Sequence, residues 1–175
     1  MLVVLFMGFV VTAQTMQQTD NWKALRYFVG TWEGTGTGQP GESKVEREYK
    51  FVLNGKFLQA NHRSTYAPQP KNPKGEVHDD FGYFSYDKPR RQFVFRQFHV
   101  EGFVTEYVAT SISPDGKTIV LDSESIENIP TGWRARETLR ILNETEFTET
   151  FELSGPGKEF QVYSENKFKR KLGSR

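Results

Sequence analysis

Phe28-Val29-Gly30-Thr31-Trp32-Glu33-Gly34-Thr35-Gly36-Thr37-Gly38 is the stretch that decides the fold. Glycine at alternate positions strips the side chains from one face of an extended strand. Another backbone, or a tight bend, can then come close. A lone Trp lies in the same strand, just after a short amphipathic segment. At the start of a β-rich chain this reads as the first strand of a closed barrel.

Before this strand, Asp20-Asn21 offers a helix start. Trp22, Leu25, Tyr27, Phe28 and Val29 then give one short apolar helix, stopped by Gly30. After it, no second helix is apparent. Turn signals recur instead, at Gly38–Gly41, Asn54-Gly55, Pro68–Gly75, Asp87–Pro89, Glu101-Gly102, Pro114–Gly116, Pro130–Gly132, Asn143-Glu144 and Gly155–Gly157. Short segments rich in Phe, Val, Tyr, Thr and Ile lie between them. This spacing predicts an all-β fold, an up-and-down antiparallel β-barrel of about ten strands, with one short N-terminal capping helix. Closure removes the exposed edges that an open sheet of this size would leave.

The chain has 175 residues, with 23 basic and 22 acidic side chains and a formal net charge of +1. That balance gives no footprint for nucleic acid. No cysteine is present, which excludes disulfides, thiolate metal sites and a cysteine nucleophile. Leu2–Val11 is an apolar run ending in Val11-Thr12-Ala13, the form of a secretory signal with a small-residue cleavage site. It falls short of the ~20 residues that span a bilayer. Residues 1–13 are thus expected to be a signal peptide, and 14–175 one exported barrel without stable membrane insertion.

Turn chemistry fixes which side chains face inward. Asn54-Gly55 is a two-residue hairpin signal, pairing Phe51 with Leu58, Tyr49 with Ala60 and Arg47 with His62. Centring the next loop near Lys71 pairs His62 with Asp80 and Ser64 with His78. A turn centred between Lys88 and Pro89 pairs Phe84 with Phe93, Gly82 with Phe95, Asp80 with Gln97 and His78 with His99. One face then carries Tyr49, Phe51, Phe84, Phe93 and Phe95, and continues at one end into Arg47, His62, His78, Asp80, Gln97 and His99. A later hairpin puts Trp133, Ala135, Glu137 and Leu139 on one face, against Phe147, Glu149, Phe151 and Leu153. Glu137 and Glu149 inside a barrel require a partner such as Arg47, a proton, or water.

Aromatics mixed with a few charged groups are the usual lining of a small-molecule pocket. The expected ligand is a small amphipathic or hydrophobic molecule. Arg47 would face an anionic end, the aromatics its apolar part, and His62, His78, Asp80, Gln97, His99 and Glu137 its polar atoms. His62, His78 and His99 on neighbouring strands match the three imidazoles of an open Zn²⁺ site, but their spacing carries no metal signature. No metal ligand is assigned and no cofactor is named. Asp80 beside a histidine is also a base-and-orienter arrangement, so a small isomerase-like or cyclase-like enzyme is the rival class. The nucleophile elbow Gly-x-Ser-x-Gly is absent, and no catalytic residue is assigned.

Gly30-Thr31-Trp32-Glu33-Gly34, with the helix before it, resembles the start of calycin barrels, the superfamily of lipocalins and fatty-acid-binding proteins. Nitrobindin-like ten-stranded barrels are the most similar group, together with related exported bacterial barrels. The resemblance implies an internal ligand cavity. In nitrobindin-like proteins it also implies haem, held by a histidine near the C-terminus. Here the last strand segment, Phe160–Lys171, contains no histidine, so that ligand has no counterpart.

Overall fold

The computed structural model describes residues 20–171 and 173, so the expected signal segment lies outside the described residues. One helical turn, α1 (Lys23–Arg26), precedes ten strands. These are β1 (Gly30–Gly38), β2 (Ser43–Val52), β3 (Phe57–Tyr66), β4 (Glu76–Asp87) and β5 (Gln92–His99), followed by β6 (Val104–Ile112), β7 (Thr118–Glu127), β8 (Arg134–Ile141), β9 (Glu146–Ser154) and β10 (Gln161–Arg170). Each strand pairs antiparallel with the next, and β1 also pairs with β10, closing the barrel. The helix is shorter than its apolar run suggests. Beyond Arg26 the chain tightens, with Phe28 N donating to Leu25 O and Val29 N to Arg26 O.

The β1–β10 seam explains the opening stretch. Trp32, Gly34, Gly36 and Gly38 share the inward face of β1. A Cβ on Gly34 would stand 1.8 Å from the Lys167 carbonyl oxygen, and one on Gly36 would stand 2.1 Å from Asn166 Oδ1. No other residue type fits that approach without moving the neighbour. Trp32 anchors the same strand, donating from Nε1 to Phe28 O at 2.7 Å.

α1 and the residues after it plug one end of the barrel. Trp22 packs on Phe51 and Phe93, and Phe28 on Phe147 and Tyr49. Phe84 and Phe95 stack at 4.1 Å between ring centroids. These rings, with Leu25, Leu58, Ile119, Leu121, Leu139 and Phe168, form the buried core. Side chains of this size gain about 1.5–3 kcal/mol each from full burial, and their concentration at one end leaves the polar inward residues at the other.

The β2–β3 and β3–β4 registers are as expected: Arg47 faces His62, His62 faces Asp80 and Ser64 faces His78. The β4–β5 register differs by two residues. Phe84 faces Phe95, Gly82 faces Gln97 and Asp80 faces His99. The turn holds four residues, Lys88–Arg91, instead of two. Asp87 Oδ1 accepts the Arg90 backbone N–H at 3.2 Å, and Arg91 takes the left-handed conformation at φ 54°. An even slip leaves every side chain on its expected face but brings His99, rather than Gln97, opposite Asp80.

Candidate binding cavity

The open end of the barrel holds a cavity of about 430 Å³. Of the residues expected at a binding site, Arg47, His62, His78, Asp80, Gln97, His99 and Glu137 line it. Tyr49, Phe51, Phe84, Phe93 and Phe95 do not. They belong to the packed end of the barrel, where Tyr49, Phe84, Phe93 and Phe95 are buried and Phe51 packs against that core. The apolar wall comes instead from later strands and turns, through Phe103, Ile126, Trp133, Phe151, Leu153 and Tyr163. Trp133, Phe151 and Leu153 follow the inward alternation of β8 and β9. Tyr163 is hidden from such reasoning because β10 is irregular between Val162 and Ser164, and a bulge breaks the alternation.

The floor is built on a buried ion pair. Arg47 on β2 donates from Nη2 to Glu149 Oε1 at 2.6 Å and from Nε to Glu149 Oε2 at 3.2 Å. Its Nη1 donates to the carbonyl oxygens of Glu46 and Arg63. Asn166 Nδ2 on β10 also donates to Glu149, at 2.8 Å. Burial alone would raise the Glu149 carboxyl, but the guanidinium overrides it and holds the pKa at about 2. Glu137, equally buried, is pushed well above the ordinary carboxylate range by burial and by the Glu149 charge beside it. Both routes to a tolerated interior carboxylate are therefore used, an arginine partner for Glu149 and a proton for Glu137.

His62 sits next to this pair. Its Nδ1 lies 3.4 Å from Gln97 Nε2, and its buried Nε2 has no hydrogen-bond partner. Burial, reinforced by Arg47, lowers its pKa to about 3, so the ring is neutral at physiological pH. Asp80, His78 and His99 form a second group on the wall. His78 Nε2 is 3.1 Å and His99 Nδ1 3.3 Å from Asp80 Oδ1. His99 Nε2 lies 3.3 Å from Thr105 Oγ1, and its ring stacks on Phe103. His78 Nδ1 is 2.9 Å from Glu101 Oε1. The carboxylates of Asp80 and then Glu101 raise its pKa to about 9, against the opposing effect of burial.

Such a site can hold a small molecule with its apolar part against the aromatic wall and its polar atoms on the floor. No curated protein matches the sequence. Among solved structures, the chain is similar to Rv2717c from M. tuberculosis, with 21% identity over 87% of this chain and 98% of that one, at a TM-score of 0.67. That likeness shows the fold. A de novo designed fluorescence-activating β-barrel is also similar, with 15% identity, 85% and 97% coverage, and a TM-score of 0.45. The sequence family of THAP4-like, haem-binding β-barrel domains matches residues 21–170. The match spans every strand of the barrel, and the chain belongs to that family.

Proposed function

We propose that the barrel binds a small amphipathic molecule at its open end. Its apolar body would lie on Trp133, Phe151, Leu153 and Tyr163, and its polar end on His62, Gln97 and Asp80. One observation carries this reading: a single cavity joins an apolar wall to a floor with an unpartnered buried nitrogen, His62 Nε2. The Arg47 guanidinium, expected to face an anion, is taken up by Glu149 and two backbone carbonyls. An uncharged polar end, such as a hydroxyl, suits this floor better than a carboxylate.

Haem is the group named in the family description. The histidine that the resemblance implies near the C-terminus is missing from this chain. The β10 residues on the cavity are Tyr163, Ser164 and Asn166, none of which is histidine. The buried imidazole nitrogen without a partner, Nε2 of His62, belongs to a ring set among Arg47, Glu149, Asp80 and Gln97.

Native mass spectrometry of protein from its own host tests the proposal, since a retained ligand adds mass. Calorimetric titration with decanol and decanoate, in the presence of a chelator, tests it with defined probes. Decanol should bind more tightly than decanoate, and Trp133→Ala should weaken it about tenfold, equivalent to ~1.4 kcal/mol of lost apolar contact. Hemin should give no histidine-ligated Soret band. Absence of both retained mass and saturable heat would overturn the reading. We further propose that the protein is exported, on the apolar Leu2–Val11 run. N-terminal sequencing of the mature protein should begin at Gln14.

A further inference from the structure

We propose that His78, Asp80 and His99 form a site for a divalent transition-metal ion on the cavity wall, with Glu101 holding the far nitrogen of His78. His78 and Asp80 are two apart on β4 and so share a face, and the β4–β5 register puts His99 opposite Asp80. One donor atom from each of the four residues lies within 4.8 Å of the others. The contacts of 3.1 and 3.3 Å from Asp80 Oδ1 to the two imidazoles match the edge of a tetrahedron whose metal–ligand bonds are about 2.0–2.1 Å, an edge of about 3.3 Å.

Asp80 Oδ1 is buried and has no hydrogen bond in proper geometry, although two ring nitrogens stand at hydrogen-bonding distance. An ion held between the three side chains would satisfy that oxygen. The far nitrogen of His99 is engaged by Thr105, the outer-shell support that fixes ring orientation at metal sites. Two imidazoles with one carboxylate suit Zn²⁺ or Fe²⁺ rather than Mg²⁺ or Ca²⁺. Glu101 comes from the exposed β5–β6 turn, and its Oε1 holds the far nitrogen of His78 at 2.9 Å, as Thr105 holds that of His99. A fourth ligand would come from the cavity side.

This inference stands without the amphipathic-ligand reading, and its test uses no organic ligand. The full chain, untagged and stripped with a chelator, is titrated with Zn²⁺ against a chromophoric competitor and with Co²⁺ by absorbance. One equivalent should bind. His78→Gln and His99→Gln should each weaken Zn²⁺ at least about 100-fold, Glu101→Gln about tenfold, and His62→Gln little. Imidazole NMR of the unsubstituted protein gives a readout that needs no variant to fold: Zn²⁺ should shift the His78 and His99 rings and leave His62 in place. Failure to bind one equivalent would overturn the site. So would unchanged affinity in His78→Gln and His99→Gln, or shifts confined to His62, which would move the ion to the His62, Glu137 and Glu149 group.

Discussion

Arg47 on β2 and Glu149 on β9 meet through two guanidinium hydrogen bonds across the two strands, β1 and β10, that close the barrel. On the way the guanidinium lies 5.0 Å over the Phe168 ring. Phe168 pairs with Gly34, and Asn166, which also holds Glu149, pairs with Gly36. The bare face of β1 thus clears the route by which the two charges reach each other.

Glu149→Gln should destabilise the protein by about 3–5 kcal/mol, because it leaves a buried guanidinium without its counter-charge. The double variant Arg47→Met with Glu149→Leu should lose much less than the two single losses combined. Urea unfolding of the parent, Arg47→Met, Glu149→Leu and the double variant measures the coupling. Additive losses would show that the pair does not act as a unit.

The two buried glutamates should oppose each other in pH dependence. Glu149 is held at about 2, below its ordinary 4.5, so its stabilisation is complete above pH 4.5 and is lost as the pH falls toward 2. Glu137 is raised, so its contribution is complete below pH 4.5 and is lost as the pH rises through its folded value. Glu137→Gln keeps an N–H donor toward Glu149 and should remove the alkaline loss. Melting temperatures from acid to alkaline pH should show the variant gaining on the parent as pH rises. A constant difference would mean that Glu137 carries no extra proton.

Gly36→Ala should cost about 1–3 kcal/mol by overpacking, since its methyl group would fall on Asn166 Oδ1 and Ser43 Oγ. It should also disturb the floor by pushing Asn166 off Glu149. Gly55→Ala provides the comparison, as its Cβ would meet nothing within 4 Å, although its φ of 73° adds backbone strain. Decanol titration separates the two: only Gly36→Ala should change ligand affinity.

Phe84→Leu should cost about 1 kcal/mol in stability and leave decanol binding unchanged, because Phe84 stacks on Phe95 within the core and does not reach the cavity. A fall in affinity without a loss of stability would return the aromatic cluster to the binding site.

Local chemistry made the fold legible. Asn54-Gly55 places both central turn residues at positive φ, which sets the β2–β3 register and with it the inward positions of Arg47 and His62. The Lys88–Arg91 turn has no such signal, and its length depends on the Asp87 side chain capping it. The His99–Asp80 pairing was therefore out of reach, while the face of each residue was not. Alternation along a strand says which residues point inward, but not how far up the barrel the core fills. That depends on where α1 docks, and it is why Tyr49, Phe51, Phe84, Phe93 and Phe95 lie in the core while Trp133, Phe151 and Tyr163 line the cavity. The need for a partner at Glu149 was readable from the cost of burying a carboxylate. Arg47 was already a candidate for that partner, and closure of β1 on β10 is what brings it to Glu149.

That closure has a kinetic consequence. Among the described residues, nine of the ten strand pairings join consecutive strands, and only β1–β10 joins distant parts of the chain. Pairing across such a separation pays its loop entropy before any contact forms. Arg47 and Glu149 are brought together only by that last seam, and until it zips both remain hydrated. Burial of this pair is accordingly a marker of finished folding, and a refolding experiment should see the hairpins form before the cavity becomes competent to bind.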